Sequence, residues 1–175
     1  MSDRVLNVLF LCTHNSARSV LAESILRQDG AGRFRAFSAG SSPRSSINPM
    51  AVQVLDELGY PTAKLASKSW DVFEAEGAPT MDIVITVCDN AAGEVCPIWP
   101  GRPVTAHWGI EDPSVAEGTE LDRKRAFLTA FRYLKNRISA LIALPADRLD
   151  ALSLRDELKK IGRSAGASPR SLDAT

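Results

Sequence analysis

The chain has 175 residues, 45% of them hydrophobic and 24% charged, which fits one soluble globular domain and excludes disordered, collagen-like and coiled-coil classes. Lys+Arg and Asp+Glu both number 21, so no bulk field recruits nucleic acid or an anionic membrane, and any anion must be held by a local site. The apolar run from Val5 to Leu11 is short and interrupted by Asn7, so neither a signal peptide nor a membrane span is expected and the location expected is cytoplasmic.

RVLNVLFLC reads as a buried strand ending where polar residues begin. SARSVLAESILRQ follows with apolar Val20, Leu21 and Ile25 at helical spacing, and Gly30 and Gly32 stop it. RFRAFSAG is a second strand. Asn48 and Pro49 then form an N-cap and N1 pair for a helix that runs to Leu58 and ends at Gly59. A helical turn is expected over 70–76, followed by MDIVITVC, a strand whose β-branched continuity suits burial on both faces and which brings Cys88 to its end. Gly93, Pro97, Pro100 and Gly101 make 89–102 a mobile loop by composition, and VTAHW is a last short strand. A long helix over 119–144 carries Phe127, Phe131, Leu134, Ile138 and Leu141 on one face and ends at Pro145, and a further amphipathic helix over 149–161 stops at Gly162. RSAGASPRSLDAT is small and polar, the composition of a disordered tail. Strands alternating with helices predict an α/β fold with a doubly wound, parallel sheet, in which ligands lie beyond the carboxyl ends of strands.

Cys12 and Cys88 both stand at such ends. CTHNSARS places a cysteine, five residues, Arg18 and Ser19 between a strand and a helix start. A tight loop feeding a helix N-terminus converges backbone N–H groups on an anion, a guanidinium fork adds bidentate bonds to a tetrahedral oxyanion, and the same field is expected to lower the pKa of Cys12. Ser19 is expected to add a hydroxyl donor to that thiolate, and Asn15 to shape the loop in a left-handed conformation. His14 either lends charge beside the anion or faces solvent. A nucleotide P-loop is excluded because GxxxxGK[ST] is absent.

VLFLCTHNSARS resembles the phosphate loop of the low-molecular-weight protein tyrosine phosphatase superfamily, and HWGIEDPSV supplies the downstream Asp-Pro pair of that family. The resemblance implies that Cys12 is the nucleophile, that Thr13, His14, Asn15, Ser16, Ala17, Arg18 and Ser19 bind the oxyanion, and that Asp112 is the general acid. VCDNAAGEVCP, with Cys88 and Cys96, is similar to the arsenate reductases built on this scaffold. That resemblance spans Val5 to about Leu144. It implies a four-stranded parallel sheet flanked by helices and a catalytic part over 1–145, and pattern and composition add a helix over 146–162 and a flexible tail over 163–175. It also implies reduction of arsenate to arsenite for arsenic detoxification, with Cys12 attacking arsenic, Cys88 expelling arsenite and Cys96 relaying the disulfide outward to thioredoxin, or to glutathione with glutaredoxin.

Thiol chemistry agrees with that order, since two thiols becoming a disulfide supply the two electrons that As(V) needs. Ala17 and His14 depart from the phosphatase pattern without removing a donor. The alternative activity is a phosphotyrosine or phosphomonoester phosphatase that uses Cys12, Arg18 and Asp112 and needs neither Cys88 nor Cys96. Glu23, Ser38 and Asp71 match positions that bind potassium in some related reductases, but each has an ordinary structural role, and no metal is assigned. A zinc site of Cys12, Cys88, Cys96 and His107 is set aside because no CxxC pair is present. Trp99 and Trp108 are expected to pack down the loops around the site.

Overall fold

The computed structural model describes residues 4–93, 99–145, 149, 151–169 and 171. Four strands, β1 (Leu6–Cys12), β2 (Phe34–Gly40), β3 (Ile83–Thr86) and β4 (Val104–His107), form a single all-parallel sheet in the order β2-β1-β3-β4. The alternation of side chains along the central strand sorts its residues onto two cores. Val8 and Phe10 enter a large cluster with Ile83 and Ile85, whereas Leu9 and Leu11 enter a smaller one with Val84, Met81, Phe73 and Trp99. Both sides of β1 are therefore apolar, which is why RVLNVLFLC reads as a continuous hydrophobic run.

The helices are α1 (Arg18–Asp29), α2 (Pro49–Glu57), α3 (Asp89–Gly93), α4 (Glu120–Ile142) and α5 (Ala151–Gly162). Asn48 caps α2 by accepting from Met50 N–H with Pro49 at the first helical position, as its sequence predicts. Thr119 and Asp122 form a reciprocal capping box that starts α4, one residue later than the hydrophobic stripe suggests. The turn expected over 70–76 is a 3-10 turn confined to Trp70–Phe73.

Two segments depart from the sequence expectation. Residues 89–93 are helical rather than part of a mobile loop, with Ala92 N–H closing onto Cys88 O at 3.3 Å. Residues 163–169 and 171, read from composition as a flexible tail, are packed against the domain: Ser168 and Ser171 are buried, and Ala167 makes an antiparallel bridge with Ile110. α5 itself docks on β4, with Leu154, Leu158 and Ile161 in the main core and the Trp108 indole N–H donating to Leu158 O at 2.9 Å. Among the described residues no helix is long and apolar enough to cross a membrane.

Candidate active site

β1 and β3 are neighbours in a parallel sheet, so their carboxyl ends emerge side by side. Cys12 is the last residue of β1, and Cys88 lies two residues beyond β3. The connection from Cys12 to α1 turns its carbonyls outward. Ser42 N–H donates to Thr13 O at 2.8 Å, Arg44 N–H to His14 O at 3.2 Å and Asn48 N–H to Ser16 O at 2.9 Å. With those carbonyls engaged by 42–48, the loop leads straight into the N-terminus of α1, the kind of arrangement that binds anions.

Asn15 is the loop residue with a left-handed backbone, φ 47°, as its side chain tolerates. Fully buried, it donates to Ser19 Oγ at 2.8 Å and Ser38 Oγ at 2.9 Å and accepts from Lys68 N–H at 2.9 Å. Ser38 in turn donates to buried Glu23, which also pairs with Arg27. The Lys68 ammonium lies 2.9 Å from Ser38 O, 2.8 Å from Ala66 O and 3.9 Å from Glu23 Oε1. Glu23 and Ser38 thus meet an ammonium, while Asp71 stands exposed in the 3-10 turn. Burial pushes the Glu23 carboxyl up against the pull of Ser38, Lys68 and Arg27, and desolvation lowers the Lys68 amine. Lys68 is a loop partner that sequence reasoning missed, because nothing local ties it to Asn15, 53 residues away.

Arg18 opens α1 with its side chain largely buried. Nη1 donates to Ile110 O at 2.8 Å, Nη2 lies 3.3 Å from Asp112 Oδ2, and Nε is buried with no acceptor among the described residues. A guanidinium N–H held away from water and unpaired by protein is a donor placed for an oxyanion. Asp112 accepts from Ser114 N–H at 2.9 Å and Ser114 Oγ–H at 2.7 Å, and Pro113 sets the 3-10 turn behind it. Arg18, Cys88 and Asp112 share a cleft of about 590 Å³.

The two thiols shift each other in opposite directions. Thr13 N–H points at Cys88 Sγ at 3.3 Å, Thr13 Oγ1 lies 3.6 Å away and Ala91 N–H 3.4 Å away, so donors from the loop and from α3 converge on Cys88. Hydrogen bonding from Cys12 and those donors, with Arg18 nearby, lowers the Cys88 thiol to about 5 in spite of its burial. The Cys12 thiol is raised instead, first by its hydrogen bond to Cys88 and then by burial, which outweigh Arg18 and Thr13. This departs from the expectation that the loop field lowers the Cys12 thiol: Arg18 and Thr13 do pull it down, but the Cys88 sulfur and burial oppose them. Ser19 Oγ accepts from Asn15 Nδ2 at 2.8 Å, which leaves the hydroxyl proton of Ser19 free of that bond.

His14 is exposed with its ring 3.1 Å from Ser42 O, turned toward the loop's outer side. Trp99 and Trp108 both pack in the interior. Cys96 lies outside the described residues. Among the described residues no group of three or more His, Cys, Asp or Glu side chains comes together as a metal site.

Known proteins share this arrangement. The family model for low molecular weight phosphotyrosine protein phosphatase matches residues 7–152. An arsenate reductase of Bacillus subtilis (strain 168) is 34% identical over 125 residues, 71% of this chain and 86% of that protein. A solved arsenate reductase in the phosphate binding state superposes with a TM-score of 0.65 at 29% identity, over 79% of this chain and 98% of that one. The Corynebacterium glutamicum thioredoxin-dependent arsenate reductase superposes with a TM-score of 0.58 at 27% identity, over 81% of this chain and 62% of that one. The chain belongs to the low molecular weight phosphotyrosine protein phosphatase family, on the branch that holds the arsenate reductases.

Proposed function

We propose that the protein reduces arsenate to arsenite through a Cys12 adduct and a disulfide relay. The observation that carries this reading is the second thiol: Cys88, beside Cys12 and with Thr13 N–H and Ala91 N–H directed at its sulfur, at the mouth of an anion loop. A phosphatase of this fold has no use for a thiolate there.

Arsenate enters the loop of Thr13, His14, Asn15, Ser16, Ala17, Arg18 and Ser19, with Arg18 Nε among its donors. Cys12 Sγ attacks arsenic, an S–As bond forms and one As–O bond breaks. The thiol proton and a proton from Asp112 allow the departing oxygen to leave as water. Cys88 thiolate then attacks Cys12 Sγ. An S–S bond forms, and the S–As bond breaks with its electron pair left on arsenic, which is reduced from As(V) to As(III) and departs as arsenite after protonation. Cys96 resolves the Cys12–Cys88 disulfide, and an external thiol reductant returns the enzyme to its dithiol state. Thioredoxin is the preferred donor, with the thioredoxin-dependent Corynebacterium relative in support, and glutathione with glutaredoxin is the other. On this reading residues 1–145 carry the chemistry, the protein works in the cytoplasm, and the reaction serves arsenic detoxification.

A single turnover tests it: reduced protein, arsenate, no external reductant, arsenite assay and peptide mapping of the cysteines. One equivalent of arsenite with a Cys12–Cys88 or Cys88–Cys96 disulfide is expected. Cys12→Ser abolishes it, and Cys88→Ser stops it before arsenite release. Unchanged thiols and no arsenite would refute the reading.

A further inference from the structure

The family match ends at residue 152, yet the chain continues through α5 into a segment that returns to the active-site mouth. Arg137 of α4, 1% exposed, donates to Tyr133 O at 3.1 Å, Ala165 O at 3.2 Å and Ser164 O at 3.1 Å. A buried cation thus holds the turn that follows α5. Gly162 lets the carboxyl end of α5 approach β4, since a Cβ there would stand 2.5 Å from His107 O. Beyond it, Ser168 N–H donates to Gly109 O at 2.8 Å, and Gly109 N–H donates to Ser171 Oγ at 2.7 Å. The strapped residues Gly109 and Ile110 include the carbonyl that receives Arg18 Nη1.

Ser168 Oγ–H reaches further. It donates to Asp89 Oδ1 at 2.5 Å, the oxygen that His107 Nε2 meets at 2.8 Å, and His107 Nδ1 lies 2.7 Å from Thr86 Oγ1. The serine bonds the carboxylate rather than the imidazole, so the cluster does not activate a nucleophile in the manner of a hydrolytic triad. Its geometry serves placement instead. Asp89 directly follows Cys88 and begins α3, and α3 presents Ala91 N–H to Cys88 Sγ at 3.4 Å.

We propose that Ser168 is a positioning residue for Cys88: by holding Asp89 it fixes the first turn of α3, and with it the Ala91 N–H on the Cys88 sulfur. The catalytic consequence, readiness of Cys88 to attack the Cys12 adduct, rests on the arsenate reductase reading. The placement itself does not. Ser168→Ala removes one donor from Asp89 and leaves its charge less compensated beside Cys88, and the loosened α3 presents Ala91 N–H less well. Both changes favour the neutral thiol.

The test is the pH profile of Cys88 alkylation by iodoacetamide in fully reduced full-length protein, followed peptide by peptide by mass spectrometry. The midpoint is read rather than the rate, because looser packing around a buried cysteine alters access at every pH alike. Ser168→Ala should raise the midpoint by roughly half a pH unit, about threefold in the thiolate-to-thiol ratio. Ser168→Thr, which keeps the hydroxyl, should restore the wild-type midpoint, and Ser168→Val, of the same shape without it, should behave as Ser168→Ala. A wild-type midpoint in folded Ser168→Ala, or in Ser168→Val should the alanine variant not fold, overturns the proposal. Absence of arsenite from wild-type single turnover would instead overturn the arsenate reading, and the Cys88 midpoint would still decide the placement.

Discussion

Gly40 ends β2 beside Cys12, its partner in the β1–β2 register. A Cβ at this position would stand 2.5 Å from Thr13 O, 2.8 Å from Cys12 O and 3.0 Å from Asn15 N, all backbone atoms of the anion loop. Ordinary contact would need roughly another half to one ångström, and no flexible side chain is present to give way, so Gly40→Ala must displace the loop itself. The stability cost of such overpacking is about 1–3 kcal/mol. The functional cost is larger in proportion, because a loop misplaced by about 1 Å no longer presents its donors to an oxyanion, a loss of about 10²-fold. Gly32→Ala is the control: φ at Gly32 is 93° with nothing near its Cβ, so the substitution strains the backbone by about 1–2 kcal/mol without touching the loop. Steady-state arsenate reduction with saturating thiol donor, alongside thermal unfolding, separates the two. Gly40→Ala should lose about two orders of magnitude in kcat/KM, whereas Gly32→Ala should lower Tm by about 2–8 °C and keep its activity. A folded Gly40→Ala protein with kcat/KM within about threefold of wild type would refute the claim that this glycine sets the loop's place.

Cys88→Ala removes the largest influence holding the Cys12 thiol up, so the midpoint for Cys12 alkylation should fall, and a midpoint that stays high would mean burial alone raises it. Asp112→Asn keeps the shape and removes the proton donor, so turnover should fall about 10²–10⁴-fold in a direct arsenite assay. Asn15→Ala leaves the Ser19 and Ser38 hydroxyls and the Lys68 N–H short of a partner and puts alanine at φ 47°; a loss of about 2–4 kcal/mol, or about 5–15 °C in Tm, is expected by calorimetry. Glu23 has its folded-state pKa raised by burial, so its contribution to stability is fully present below its unfolded value, 4.5, and is lost as pH rises through the folded value. Glu23→Gln should flatten that part of the denaturation midpoint against pH.

What could be read from the sequence is what local chemistry decides. β1, the loop from Thr13 to Ser19 and α1 are contiguous, and Asn15, Asn48 and Thr119 carry side chains whose roles depend on neighbours a few residues away. α3 was hidden by its brevity, five residues next to a stretch rich in Gly and Pro. Residues 163–169 and 171 were hidden by composition: small polar residues read as disorder until a buried Arg137 and the Ser168 bond to Asp89, 79 residues away, give carbonyls and hydroxyls among them partners. The opposite shifts of the Cys12 and Cys88 thiols were equally out of reach, since Thr13 meets Cys88 across a separation of 75 residues that the β1–β3 pairing brings together.

Those opposite shifts also fit the order of chemical steps. An anion loop offers one concentrated positive field, and two thiolates side by side within it would repel each other and the incoming oxyanion. A lowered Cys88 thiol beside a raised Cys12 thiol avoids this. Attack on arsenic takes the Cys12 sulfur as thiolate, so its proton passes to the departing oxygen as the S–As bond forms and the As–O bond breaks. The second step then requires a thiolate within reach of the Cys12 sulfur, and that thiolate is already in place, held by Thr13 from the loop and Ala91 from α3. The donors on Cys88 thus come from two elements with separate supports: the loop is shaped by Asn15 and its partners Ser38 and Lys68, and α3 is tied to β4 and the C-terminal segment through Asp89. Loss of the α3 support should affect the second step before the first, because arsenate binding draws on the loop alone and arsenite release on both.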